Sequence, residues 1–162
     1  MEWQVVMNKF LKILLIVLAT LTLQNSHAQW VNESSINKMN DSVDFVSSIT
    51  SKSGAKSKFV VRCNSKEEFA HLFLQFPKVL AYSSLKMRVG SQEAQIYEGK
   101  LSSDGKFYST IYDAILILRL QEESQKRLLV EVQWMSPSGS EVIEFNLQGF
   151  DKLKCVAIQN KL

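Results

Sequence analysis

The sequence predicts a mainly β fold: an antiparallel sandwich or open barrel of about eight short strands with two short helices. Three observations lead there. Short stretches such as "SLKMRVG", "LLVEVQWM" and "EVIEFNLQG" alternate apolar and polar residues with the two-residue period of a strand. Turn-forming clusters ("SKSG", "SSDG", "SPSG") separate them at short intervals. Strands follow one another as hairpins, without the strand–helix–strand rhythm of a parallel sheet.

In chain order, "QWVNESSINKMNDS" (residues 29–42) is polar with isolated apolar residues, so it is expected to be an irregular lead-in with Trp30 and Met39 tucked onto the domain. "VDFVSSIT" (43–50) and "KFVVRC" (58–63) form a first hairpin around the Ser/Lys/Gly turn, with Phe59, Val61 and Cys63 on one face. "EEFAHLFLQF" (67–76) is aromatic and stops at Pro77, which favours a strand with His71 at a surface or rim position. In "SLKMRVG", Leu85, Met87 and Val89 point inward and Lys86 and Arg88 outward. "AQIYEGKL" and "KFYST" flank the tight turn "SSDG" as another hairpin. "IYDAILILRLQEE" (111–123) changes period: Ile111, Ala114, Ile115 and Leu118 recur at helical spacing, with Thr110 as the cap. The solvated connection "ESQKR" leads to a last hairpin, with Leu128, Val130, Val132 and Trp134 inward on one strand and Ile143, Phe145 and Leu147 on the other. "GFDKLKCVAIQNK" closes with a short helix whose buried face is expected to hold Phe150, Leu153 and Ala157.

The first 28 residues have the three parts of a secretory signal peptide. Lys9 and Lys12 precede an apolar run over residues 13–23, and Ser26 and Ala28 supply small residues for cleavage after Ala28. "MNKFLK" makes Met7 an alternative start. The apolar run is 11 residues, against about 20 for a membrane-spanning helix. The expected products are a 1–28 signal peptide and a single exported β-rich domain, 29–162, in the periplasm or secreted, with no stable membrane insertion. Cleavage would remove two lysines and one glutamate and reduce the net charge from +3 to +2. That is too near neutral for an electrostatic case for nucleic acid or an anionic membrane.

Export also decides how the two cysteines are read. In an oxidising compartment, Cys63 and Cys155 are expected to pair, pinning the last helix to the sheet. A zinc site would need about four ligands, and only His71 remains among histidines after cleavage. A Cys63–His71 nucleophile pair finds no orienting residue, and there is no CxxC. No GxSxG, HExxH, P-loop or GxGxxG is present. The carboxylates Glu67, Glu68, Glu122, Glu123 and Asp104 form no interpretable pair or calcium loop. The aromatics Trp30, Tyr97 and Trp134 are expected to pack in the core. No cofactor and no metal is expected.

The order of "QW", "VVRC", "LKMRVG", "SSDG", a short helix, "FNLQG" and a late cysteine resembles the type VI secretion-associated VasI/TagO-like family of exported bacterial proteins. Tyr97 stands where that family usually has Trp. The resemblance implies a non-enzymatic periplasmic accessory or binding protein, whose partner is another envelope or secretion-apparatus protein. At the shared positions, a binding surface is expected near Arg88, Tyr97 and Ser103. The alternative expectation is a secreted inhibitor or small-ligand-binding module acting on an envelope hydrolase.

Overall fold

The structure, a computed structural model, describes residues 29–52, 56–66, 70–110 and 114–159. The expected signal peptide (1–28), Glu67, Glu68, Phe69 and Ile111 lie outside them, as does the side chain of Thr110. Nine antiparallel strands make one open sheet: β1 (Val31–Asn37), β2 (Ser42–Thr50), β3 (Lys58–Asn64), β4 (His71–Gln75), β5 (Ser84–Val89), β6 (Gln95–Leu101), β7 (Phe107–Thr110), β8 (Arg127–Trp134) and β9 (Gly139–Asn146). Their order across the sheet is β1-β2-β3-β4-β7-β6-β5-β8-β9. Two helices follow β7 and β9: α1 (Ala114–Glu122) and α2 (Lys154–Gln159), the latter preceded by a 3-10 turn at Phe150–Lys152.

Eight of these strands are the predicted ones. The ninth, β1, corrects the expectation of an irregular lead-in. It pairs with β2 along its full length, from Val31 opposite Ser48 to Asn37 opposite Ser42. All seven of its side chains are exposed, so "VNESSIN" carries no alternation from which a strand could be recognised. The turn into β2 is built by asparagine: Asn37 Oδ1 accepts from Met39 N–H at 3.0 Å and Asn40 Oδ1 from Ser42 N–H at 3.1 Å. Met39 sits at the tip of that turn, 94 % exposed, and does not tuck onto the domain. Trp30, one residue before the strand, does: it is buried and its Nε1 donates to Gln148 C=O at 3.1 Å.

Alternation was reliable wherever one face is buried. Phe59, Val61 and Cys63 of β3, Leu85, Met87 and Val89 of β5, and Leu128, Val130, Val132 and Trp134 of β8 all face the core. The sheet curls so that its two halves share that core. Beyond the end of β2, Lys52 N–H donates to Glu144 C=O of β9 at 2.9 Å, while β1 hangs outside this junction and leaves the barrel open. Across the interior, Phe59 lies 6.0 Å from Phe145, 5.9 Å from Trp30 and 6.3 Å from Phe150, which stacks parallel to it. Such pairs add about 0.5–1.5 kcal/mol each beyond their burial.

Helix α1 supplies a cover. Leu116, Ile117 and Leu120 are buried, and Leu116 and Leu120 lie beside Leu72, Met87 and Leu128. The expected face was different: Ile115 and Leu118 are 62 % and 56 % exposed. "AILILRL" is apolar nearly all round, so two helical faces fit its period equally and the position of the sheet selects between them. Ala157 is likewise exposed, not part of a buried face with Phe150 and Leu153. The backbone turns extended at Leu153 (φ −66°, ψ 141°), which resets the phase and points Cys155 and Val156 inward instead.

Cys63 and Cys155 are joined by a disulfide, with Cα atoms 5.4 Å apart and a separation of 92 positions in sequence. Both are buried. The bridge fixes α2 to β3, and Lys154 Nζ lies over the Phe45 ring of β2 at 6.0 Å. Closing a loop of this length removes on the order of 4–5 kcal/mol of unfolded-chain freedom in the chain-entropy model.

The hairpin of β6 and β7 is held by one tyrosine. Tyr108, fully buried, donates its hydroxyl to Tyr97 C=O at 2.6 Å. Burial, with the charge of Glu98 adding to it, raises its phenol well above the ordinary range, so it remains a proton donor. Its ring lies across Gly99, where a Cβ would overlap both the ring and Ser109 C=O. Gly99→Ala is expected to cost about 2–3 kcal/mol, seen as a lower urea midpoint with an unchanged slope. Oxidised protein is expected to resist thiol alkylation. Replacing both cysteines by alanine is expected to remove about 2–4 kcal/mol, measured the same way.

Candidate functional site

The outer face of the sheet around β5, β8 and β9 carries a groove of about 690 Å³. Its position follows from strand register. Arg88 lies opposite Leu129, and Leu129 opposite Glu144, so one row crosses β5, β8 and β9. Arg127 lies opposite Asn146 in the next row, and its carbonyl accepts from Gly90 N–H at 2.8 Å. Because Leu128 and Val130 face the core, strand alternation places the Arg127 side chain outward, on the same side as Arg88.

Four cations line the groove: Lys52, Arg88, Lys126 and Arg127. Two have carboxylate partners. Arg127 Nη1 stands 3.5 Å from Glu144 Oε2, and Lys126 Nζ stands 2.7 Å from Glu123 Oε2 and 3.1 Å from Ser91 Oγ. No carboxylate among the described residues pairs with Lys52 or Arg88. The amides of Gln125, Asn146 and Gln148 complete the lining. Gly90 makes the floor possible: at φ +55° it has the left-handed backbone that favours glycine, and a side chain there would strike the Glu123 carboxylate. The result is a locally cationic, amide-rich surface on a chain whose overall charge is close to balanced.

The three residues expected to share a surface do not meet. Arg88 is in this groove. Tyr97 is on the opposite, inner face of the sheet, 7 % exposed, with its hydroxyl 3.3 Å from Arg119 Nη1. Ser103 is exposed in the turn between β6 and β7. Alternation separates the first two, since Tyr97 is opposite Leu85, which points inward, while Arg88 points outward. Trp30 and Trp134 are buried, as expected of core aromatics. His71, half-buried at the start of β4, stacks near Phe73 at 6.3 Å. Among the described residues, no cluster of His, Cys, Asp and Glu could hold a metal ion. No described helix is long and apolar enough to cross a membrane.

Sequence reading assigned Lys52 and Lys126–Arg127 to solvated turns one at a time. No linear signal joins positions 52, 88 and 125–127; the strand order and the Lys52–Glu144 junction do.

In the turn that holds Ser103, Asp104 Oδ1 accepts from Ser102 Oγ and from Lys106 N–H, and these bonds lower its pKa below the usual 3.8, the Ser102 bond most. A carboxylate held low in the fold contributes stability above its unfolded pKa and loses it as pH falls through the folded value. Asp104→Asn is therefore expected to lower the melting temperature at pH 7, and the difference is expected to shrink as the pH is lowered through and below the usual carboxylate range. Compared with known proteins, the chain matches no family model, no curated protein and no solved structure.

Proposed function

We propose that the protein is an exported, non-enzymatic accessory or binding protein that grips its partner through the cationic groove. The carrying observation is the pair of cations, Lys52 and Arg88, without carboxylate partners among the described residues and beside amide side chains in a concavity large enough for a ligand segment. The other titratable groups around them are occupied in holding the fold. Glu123 and Glu144 neutralise Lys126 and Arg127. The buried disulfide supports work in an oxidising compartment. The resemblance to the type VI secretion-associated family supplies the proposed setting, a bacterial envelope, with an envelope or secretion-apparatus protein as partner.

The size and charge of the groove also suit the second reading, a secreted inhibitor or small-ligand-binding module acting on an envelope hydrolase. A crosslinked pull-down of tagged protein from the native envelope, read by mass spectrometry, separates the two. Recovery of secretion-apparatus components is the expected result. Recovery of a single cell-wall hydrolase would favour the inhibitor reading, and retention of the protein in the cytoplasm would overturn both. The exported form is expected to begin at Gln29, which its intact mass reports.

A further inference from the structure

We propose that the groove binds an extended acidic peptide segment of the partner, with two carboxylates spaced two residues apart in the ligand seated on Arg88 and Arg127. This rests on the binding-protein reading above and names the chemistry of its ligand. The spacing comes from the register. Arg88 is opposite Leu129, and Arg127 is two residues before Leu129 on the same strand. The two arginines are thus diagonal neighbours on one face of adjacent strands, where such positions are about 7–8 Å apart. Residues i and i+2 of an extended peptide project to one side about 6.6 Å apart, twice the strand rise. Two arginines rooted at positions so spaced suit two carboxylates at a similar spacing, and each carboxylate can be gripped by a planar fork of donors.

The rest of the lining agrees. Arg88 is exposed and has no carboxylate of its own among the described residues. Arg127 spends a single long contact on Glu144, at 3.5 Å, which steadies the side chain and leaves its other N–H groups available. Lys52 adds a third positive charge at the β9 side of the groove. The side-chain amides of Gln125 and Gln148 are exposed and offer both donors and acceptors, as a peptide backbone requires.

The test uses the oxidised protein and a fluorescein-labelled peptide, Gly-Ser-Asp-Ser-Asp-Ser-Gly, followed by fluorescence anisotropy at low and physiological salt. Saturable binding that weakens with salt is expected, with at least about tenfold loss when both Asp are replaced by Asn. Combined Arg88→Gln and Arg127→Gln is expected to weaken binding by at least about tenfold. Lys100→Gln, on the exposed face of β6, is expected to leave it unchanged. Thermal melts verify that the variants fold, and Lys52→Gln alone provides a milder loss should the double variant unfold. Absence of binding, equal binding of the Asn peptide, or equal competition by a short uronic-acid oligosaccharide would overturn the proposal. In the envelope pull-down, a partner captured equally by wild type and double variant would overturn the groove assignment and leave the binding-protein reading standing. Failure of the wild type to capture any partner would strike the reading itself.

Discussion

A single sheet has two faces and only one set of strands to cover them. Every other feature of this protein follows from how the inner face is taken out of water. The answer is curvature: β3 and β9, separated by five strands in the sheet order, come face to face through Phe59 and Phe145. Trp30 and Phe150 close the remaining side of Phe59, so chain segments from both ends of the domain meet on one ring. The Lys52–Glu144 hydrogen bond joins the backbone where the curl nearly closes. Helix α1 then covers apolar surface that the curled sheet leaves bare.

That dependence explains which parts of the fold were legible in sequence. Strands with one wet and one dry face advertise themselves, and β3, β5, β8 and β9 were recognisable residue by residue from alternation. β1 was not, because both its faces are wet and pairing with β2 alone makes it a strand. Helix α1 was recognisable as a helix but not by its buried face, since "AILILRL" offers apolar side chains all round and only the neighbouring strands choose Leu116 and Leu120 over Ile115 and Leu118. The disulfide was readable because two cysteines in a chain expected to be exported allow one pairing within it. The groove was the least legible feature. Arg88 was singled out, but its neighbours Lys52 and Arg127 come from distant segments that look like ordinary solvated turns when read singly.

The groove also shows how an almost balanced chain concentrates charge. Pairing consumes the acids locally: Glu131 faces Lys86 at 3.5 Å, Glu123 serves Lys126 and Glu144 serves Arg127. Exposed pairs of this kind contribute about 0–1 kcal/mol to stability. Their larger effect is on the field, since among the described residues they leave Arg88 and Lys52 without a carboxylate in a concave, amide-lined surface. Net charge averages over the whole molecule and hides this; strand register restores it.

The disulfide gives the covalent molecule a topology that the linear chain lacks. Cys63 lies on β3 and Cys155 on α2, so the backbone between them, with β4 to β9 and α1, forms a closed ring, while β1 and β2 lie on a tail outside it. One peptide-bond cut anywhere in the ring, at the exposed turn after Leu101 or the one after Trp134, opens a loop but releases no fragment. A cut on the β1–β2 side severs that tail from the ring, leaving it held by non-covalent contacts alone, among them its pairing with β3, the buried Ile49 and the Trp30 anchor. In a protease-rich compartment, the two regions therefore have different tolerance to nicking: most of the sheet is topologically protected, and its first two strands are not.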